Sequence, residues 1–364
     1  MKNFPLTEMA VKMYCPGNVV EIDDAGLPSI MVYIPKFKNS DVLTGGDDST
    51  HPAFIVNGKE IDGFYYSKYQ NVVHNGMAYS LPGEEPQTAV SIDKARECCE
   101  AKGYGWHLCT IAEWAAIALW CKANTFLPYG NNNSGKDSRE SEYKAVPATT
   151  SGGSTARVAT GTGPLSWSHD RTASGIWDMN GNVWEMQAGI RLVWGELQIL
   201  ANNDAADPDN PQNTTGALWK AINATYGALV EPECKTTDTT AKASGNTVKL
   251  DYIDGAWVYT TGISNPVEEG KSCFFSKITC SSSISEDAKL VLRTLALLPE
   301  EGAAEGDYEG DAVWFVHAAA ERIICRGGSS SYGAGAGIFS ILGHLGRSAA
   351  PTSNGFRAAY IPNM

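Results

Sequence analysis

The sequence predicts a mixed α+β fold on three observations. Runs of β-branched and aromatic residues stand near both ends of the chain, at residues 29–35 and 64–69 and again at 312–318 and 322–325. The turn dipeptides Asn180-Gly181 and Asp254-Gly255 sit inside alternating apolar and polar stretches, the pattern of β-hairpins. Between these strand signals lie two segments whose apolar residues recur at helical spacing.

Taken in order, residues 1–27 carry no strong period and end in the turn Asp23-Asp24-Ala25-Gly26, which marks them as an N-terminal extension. Residues 28–364 then form one domain. A Gly/Asp/Ser-rich loop at 44–50 separates the first two strands. Ser91 caps a helix over 92–101 with Ile92, Ala95, Cys98 and Cys99 inward and Gly103 at its end. Thr110 and Glu113 make a capping box ahead of a helix over 111–122, with Trp114, Ile117, Ala118 and Cys121 on one face. Residues 131–136 and 149–155 are polar loops, followed by the expected hairpin about Asn180-Gly181. The less patterned, Thr/Asn/Asp/Pro-rich segment from about 196 to 283 reads as a large insertion, containing a hairpin over 248–260 with Trp257 and Tyr259 on one face. Ser285-Glu286-Asp287 caps a short helix through Leu298, stopped by Pro299, and an acidic loop covers 300–311. No internal repeat is present.

Composition narrows the function. In 364 residues, 43% hydrophobic and 10% aromatic side chains are ample for a core. The formal charge of -13 repels phosphate backbones and anionic lipid, so neither nucleic acid nor a membrane surface is an expected partner. Glu8, Lys12 and Pro16 interrupt the first twenty residues, so no Sec-type signal is expected. The apolar runs at 115–121 and 295–298 fall far short of the roughly 20 residues of a membrane helix, so a soluble protein without membrane insertion is expected. Nine cysteines include no Cys-x-x-Cys pair and no zinc-type spacing with His. Most stand among apolar residues as small hydrophobes, which fits folding in a reducing cytoplasm, while a Cys273–Cys280 disulfide stays open. No cofactor or metal is expected.

The C-terminal residues 326–357 alternate two kinds of position. Arg326, Gly327, Gly328, Gly337, Phe339, Arg347, Gly355, Phe356 and Arg357 look like anchors, and small or arbitrary residues stand between them. A flexible linker has no use for Ile338, Phe339, Ile341, Phe356 and Tyr360, which contribute buried area only in a folded chain. A folded loop bundle displaying variable side chains accounts for both kinds.

The segment Gly105-Trp106-His107-Leu108-Cys109-Thr110-Ile111-Ala112-Glu113-Trp114, with Gly175-Ile176-Trp177-Asp178-Met179-Asn180-Gly181-Asn182-Val183-Trp184-Glu185 and Gly355-Phe356-Arg357, resembles the formylglycine-generating enzyme family. Met31-Val32-Tyr33-Ile34-Pro35 looks like its opening strand. The resemblance spans about residue 28 to the end and implies a C-type lectin fold: a twisted antiparallel sheet with two main helices, here with the insertion. The spacing of Arg326-Gly327-Gly328 and Gly355-Phe356-Arg357, with Ala336-Gly337-Ile338-Phe339 and Arg347-Ser348 inside it, is similar to the variable proteins of diversity-generating retroelements. That resemblance implies diversified ligand-binding positions at Ser331, Tyr332, Gly335, Ser340, Leu342, His344, Leu345, Ala349, Pro351 and Ser353, with Ser330 at the margin. Each is a residue type reachable by changing adenines in an Asn codon, and no Lys, Glu or Asp interrupts the stretch. The reverse transcriptase acts on the gene and not on the protein. The implied partner is a protein or glycan receptor, and the implied place a phage tail or bacterial surface.

Enzymatic readings fare less well. The formylglycine enzymes need a reactive cysteine pair just after the Gly-Gly-Ser equivalent, and residues 330–337 contain none; Cys325 reads as a buried strand residue. An iron-binding branch needs a His cluster, whereas His51, His74, His107, His169, His317 and His344 are scattered. His107 reads as a satisfied core or capping residue, and the adjacent His169-Asp170 as structural. Glu85-Pro86-Gln87 and Glu231-Pro232-Glu233 depart from the calcium-lectin loop. Trp167, Trp177 and Trp184 read as core, with Asn182 and Glu185 tying loops to the backbone. An enzyme with a displaced active site and an adhesin without diversification are the alternatives.

Overall fold

Apolar runs from the two ends of the chain meet in one sheet. The structure, a computed structural model, describes residues 4–142, 145–362 and 364. Pro28–Pro35 pairs antiparallel with Gly63–Ser67, setting Val32 opposite Tyr66, and the last strand, Ala358–Tyr360, runs between Gly63–Ser67 and Trp106–Leu108. Alternation then sets Val32, Phe64, Tyr66 and Ala359 on one face and Met31, Leu108 and Ala358 on the other, and both faces are buried, each in its own apolar cluster. Asn18–Ile22 is the fifth strand, paired to Pro28–Pro35. The segment expected to be an extension therefore supplies an edge strand, too short at five residues to announce itself. Ahead of it Pro5–Tyr14 is a helix with no buried residue; residues 1–3 lie outside the described ones.

The second sheet has twelve strands and holds the C-terminal stretch. Its central path runs Lys271–Phe274, Ala312–Phe315, Ile341–Leu345, Arg322–Arg326, Trp184–Val193, Glu196–Ile199 and Lys249–Ile253. Pairing is mostly antiparallel, but Ala312–Phe315 runs parallel to Ile341–Leu345. The strands of the expected insertion, from Glu196–Ile199 through Ala256–Thr260, extend this same sheet. The hairpin about Asp254-Gly255 is present with Ile253 opposite Ala256, both turn residues adopting positive φ, and Trp257 and Tyr259 are buried.

The two main helices lie where sequence puts them. Ile92–Glu100 begins at Ser91, whose Oγ accepts from Lys94 N, and packs its Ile92, Ala95, Cys98 and Cys99 against the Trp106–Leu108 strand. Ile111–Ala123 has the Thr110/Glu113 capping box, but it is buried on nearly every side: Ala112, Glu113, Ala115, Ala116 and Leu119 are inside along with the expected face. Small side chains allow that close approach. The helix after Ser285 spans only Glu286–Thr294, not through Leu298 as expected, because Ala296 takes a positive φ (51°) and turns the chain out of the helix before Pro299.

Asn180-Gly181 does not turn a hairpin. Gly181 N donates to Gly327 O and Asn182 N to Asn131 O, so this dipeptide stitches three distant loops together, and the strand starts only at Trp184. The polar loop expected at 149–155 is instead a hairpin of Pro147–Ser151 with Ser154–Val158. All nine cysteines are free, Cys273 and Cys280 included. Among the described residues no helix is long and apolar enough to cross a membrane.

Candidate ligand-binding surface

The anchors of the C-terminal stretch are held from many directions. Arg357 is fully buried; its Nε donates to Glu185 Oε2 (2.7 Å) and its Nη2 to Glu185 Oε1 (3.0 Å), while Nη1 reaches Lys68 O (3.0 Å). Burial alone would lower this guanidinium, but Glu185 outweighs it and holds Arg357 above the ordinary arginine value. Arg326 is buried and, among the described residues, has no paired carboxylate; its Nη1 donates to Ala296 O (3.1 Å) and Nη2 to Ile338 O (3.3 Å), and burial pulls it down to about 9.

Backbone contacts fix the loop between these arginines. Trp114 Nε1 donates to Ile338 O (2.8 Å), and Phe339 N donates to Asp311 Oδ2 (2.7 Å). Burial raises the Asp311 carboxyl to about 7 against that hydrogen bond. Gly328 has φ +88°, and a Cβ there would stand 2.3 Å from Ala336 Cβ, so only glycine fits. Phe339 and Phe356 are buried, and Arg347 pairs with Asp93 through Nε (2.9 Å).

The eleven candidate ligand residues are not so enclosed. Ser331 and Ser353 are exposed, and Ser330, Tyr332, Gly335, His344, Leu345, Ala349 and Pro351 are half-buried. Ser340 (0% exposed) and Leu342 (5%) are inside: Ser340 Oγ donates to Gly335 O (2.7 Å), and Leu342 belongs to an apolar cluster with Trp184, Met186, Ile323 and Cys325. Neither offers its side chain to a ligand. A one-residue bulge in Ile341–Leu345, where Leu342 opposes Cys325 and Leu345 opposes Ile323, returns Leu345 to the face of Leu342. Leu345 and Tyr332 pack at the edge of that cluster, Tyr332 edge-on to Trp184 at 5.1 Å.

His344 lies 6.2 Å from the Trp314 ring, which is 37% exposed; burial and Arg322 both lower this imidazole. Ser330, Ser331 and Ser353 line one pocket, shared with Arg157 and with Thr149, Thr150 and Ser151 of the neighbouring hairpin. The structure brings these serines together and sets Tyr332 next to them along the chain. Ala349 and Pro351 lie on the loop that Arg347 ties down, where Pro351 O accepts from Ala89 N. Sequence reasoning missed Thr150, Arg157, Trp314 and Thr352, because they enter from segments read as a polar loop, a strand or unmarked positions.

The other reactive side chains have structural duties. His107 bridges Gly105 O (2.9 Å) and Glu113 Oε1 (2.8 Å), a satisfied core histidine. His169 Nδ1 accepts from Ile176 N (2.8 Å), while Asp170 accepts from Ser168 and Thr172, so no hydrogen bond joins the two. The Cys325 thiol accepts from Asn354 Nδ2 (3.2 Å), and burial pushes it up to about 12, far from the thiolate that attack or copper binding requires. Asn182 Nδ2 donates to Gln70 Oε1 (2.8 Å) and its Oδ1 accepts from Val158 N, tying loops as expected. Among the described residues no three His, Cys, Asp or Glu side chains gather as metal ligands.

One family model, the sulfatase-modifying factor enzyme 1-like domain, matches residues 49–196, less than half of the chain. No curated protein matches. A solved structure named "Major Tropism Determinant P3c Variant" is similar over 94% of this chain and 71% of that one, at 9% identity and a TM-score of 0.28, a likeness too slight to carry an argument. The matched segment holds the two main helices and the loops that bind Arg357, and the remaining strands complete the sheets around them. The chain has an α+β fold of the C-type lectin-like kind, shared with the sulfatase-modifying factor domain that it resembles.

Proposed function

We propose that this chain is a non-catalytic ligand-binding protein. Its C-terminal stretch displays exchangeable side chains on a fixed frame, its gene is diversified by a retroelement, and it is carried on a phage particle or bacterial surface. The partition of the stretch supports this reading: eight of the nine anchors are buried, whereas nine of the eleven candidate positions reach solvent. An enzyme site needs fixed side chains in fixed geometry, while a surface meant to change needs its variable positions where substitution is cheap. The ligand surface comprises Ser330, Ser331, Tyr332, Gly335, His344, Leu345, Ala349, Pro351 and Ser353.

The test is replacement of those nine side chains together, with adhesion to a panel of bacterial cells as the readout. The expected result is a changed set of bound strains on a protein that still folds, with its urea midpoint lowered by no more than the loss of the Tyr332 ring packing against Trp184. Adhesion that ignores the replacement contradicts the reading. Diversification is tested in the neighbouring DNA, where a near-identical repeat differing mainly at adenines should lie beside a reverse transcriptase gene. Copper-dependent oxidation of a cysteine-containing peptide above background would contradict the non-catalytic assignment.

A further inference from the structure

The pocket beside Ser331 is built almost wholly of hydroxyls. One wall is the Pro147–Ser151/Ser154–Val158 hairpin, which presents Thr149, Thr150 and Ser151; the opposite wall is Ser329, Ser330 and Ser331, closed at one end by Thr352 and Ser353. The cavity volume is about 370 Å³, within the range of small-ligand sites. Two of the hydroxyls are engaged: Thr149 donates to Glu85, and Ser353 donates to Asn354 Oδ1 (3.0 Å). Ser329 is only 6% exposed and lines this pocket, yet among the described residues its side chain makes no hydrogen bond. Thr150, Ser331 and Thr352 likewise leave their side chains free. Ser329 Oγ keeps contact with solvent, so it is open to a ligand in the pocket that it lines.

We propose that this pocket takes a neutral, polyhydroxylated ligand, a carbohydrate unit, as the part of the receptor recognised by Ser329, Ser331, Thr150 and Thr352. The proposal rests on the reading of the stretch as a ligand-binding surface. Each Ser or Thr hydroxyl both donates and accepts, as each sugar hydroxyl does, so the two surfaces match without fixing an orientation in advance. An anionic ligand is not matched. Arg157 is the only charged side chain in the lining, and its Nε already donates to Glu85 Oε1 (2.7 Å) while its Nη1 donates to Thr352 O (3.3 Å). A peptide anchor is not matched either, because such anchors fill apolar pockets and Ala156 is the only apolar residue in the lining.

The experiment applies the full chain to an array of glucose, galactose, mannose, N-acetylglucosamine and lactose, with sialylated and sulfated sugars alongside. The expected result is retention of at least one neutral sugar. Ser329→Ala and Thr352→Ala should each weaken it by about two- to tenfold, the loss of one hydrogen bond, at unchanged urea midpoints. Retention of acidic sugars only, or retention indifferent to both substitutions, overturns the proposal. A blank array also overturns it. If cell adhesion still follows the nine replaced side chains, the blank array leaves the display reading standing. If that adhesion is indifferent as well, the display reading falls with it.

Discussion

Within one short stretch, Arg326, Phe339, Phe356 and Arg357 are enclosed, while Ser331, Tyr332, His344 and Ser353 keep a side open. The enclosed residues draw their partners from far away: Arg357 from Glu185 and Lys68, Arg326 from Ala296, Phe339 from Asp311. The open residues make few side-chain bonds, and those they make are local, as from Ser353 to Asn354. The lesson is that a surface open to substitution needs no loose chain. A backbone pinned by buried arginines and aromatics can carry side chains that matter little to its folding.

The largest test of this contrast is Glu185→Ala, which leaves Arg357 buried and unpaired. A loss of about 3–5 kcal/mol is expected in a urea melt, and removing both charges with apolar replacements should cost less than removing Glu185 alone. Phe339→Ala should cost a similar amount, about 3–5 kcal/mol, by opening a cavity.

Next comes His51, which is wholly buried; its Nδ1 accepts from Ala53 N and its Nε2 donates to Thr294 O, so the fold needs a neutral ring. Burial lowers it to about 4 from an ordinary 6.5. As pH falls below 6.5 the unfolded chain takes the proton first, so stability present above 6.5 is lost on the way down to 4. Between pH 7 and pH 4 the advantage of the native chain over His51→Gln should shrink by roughly 3 kcal/mol. The half-buried His344 should give a smaller change in the same comparison.

Tyr332→Ala should cost about 1–2 kcal/mol, more than a free surface residue, because its ring packs edge-on to Trp184. Ser331→Ala and Ser353→Ala should stay within about 0.5 kcal/mol. Equal losses at Ser331 and Phe339 would erase the division between frame and display.

What could be read from sequence was local. The Thr110/Glu113 capping box, the Ser91 and Ser285 caps and the Asp254-Gly255 turn each carry their own instructions within a few residues, and each formed as expected. Asn180-Gly181 carries the same turn chemistry, but Gly181 N donates to Gly327 O and the next residue, Asn182, donates its N–H to Asn131 O. No local pattern reveals that. Asn18–Ile22 became a strand because Pro28–Pro35 offered an edge, not because of its own alternation. The anchors of the C-terminal stretch were legible as arginine, phenylalanine or glycine residues in a small-residue background. The burial of Ser340 and Leu342, and the hydroxyls that Thr150 and Thr352 add beside Ser331, depend on how separate loops converge.

The most direct test of a fixed frame under an exchangeable surface is a pair of libraries. One randomises Ser330, Ser331, Tyr332, Gly335, His344, Leu345, Ala349, Pro351 and Ser353; the other randomises the nine anchors, and the measurement is the fraction of members that fold by protease resistance. The account predicts that most of the first library folds and almost none of the second. Similar fractions in the two would contradict it.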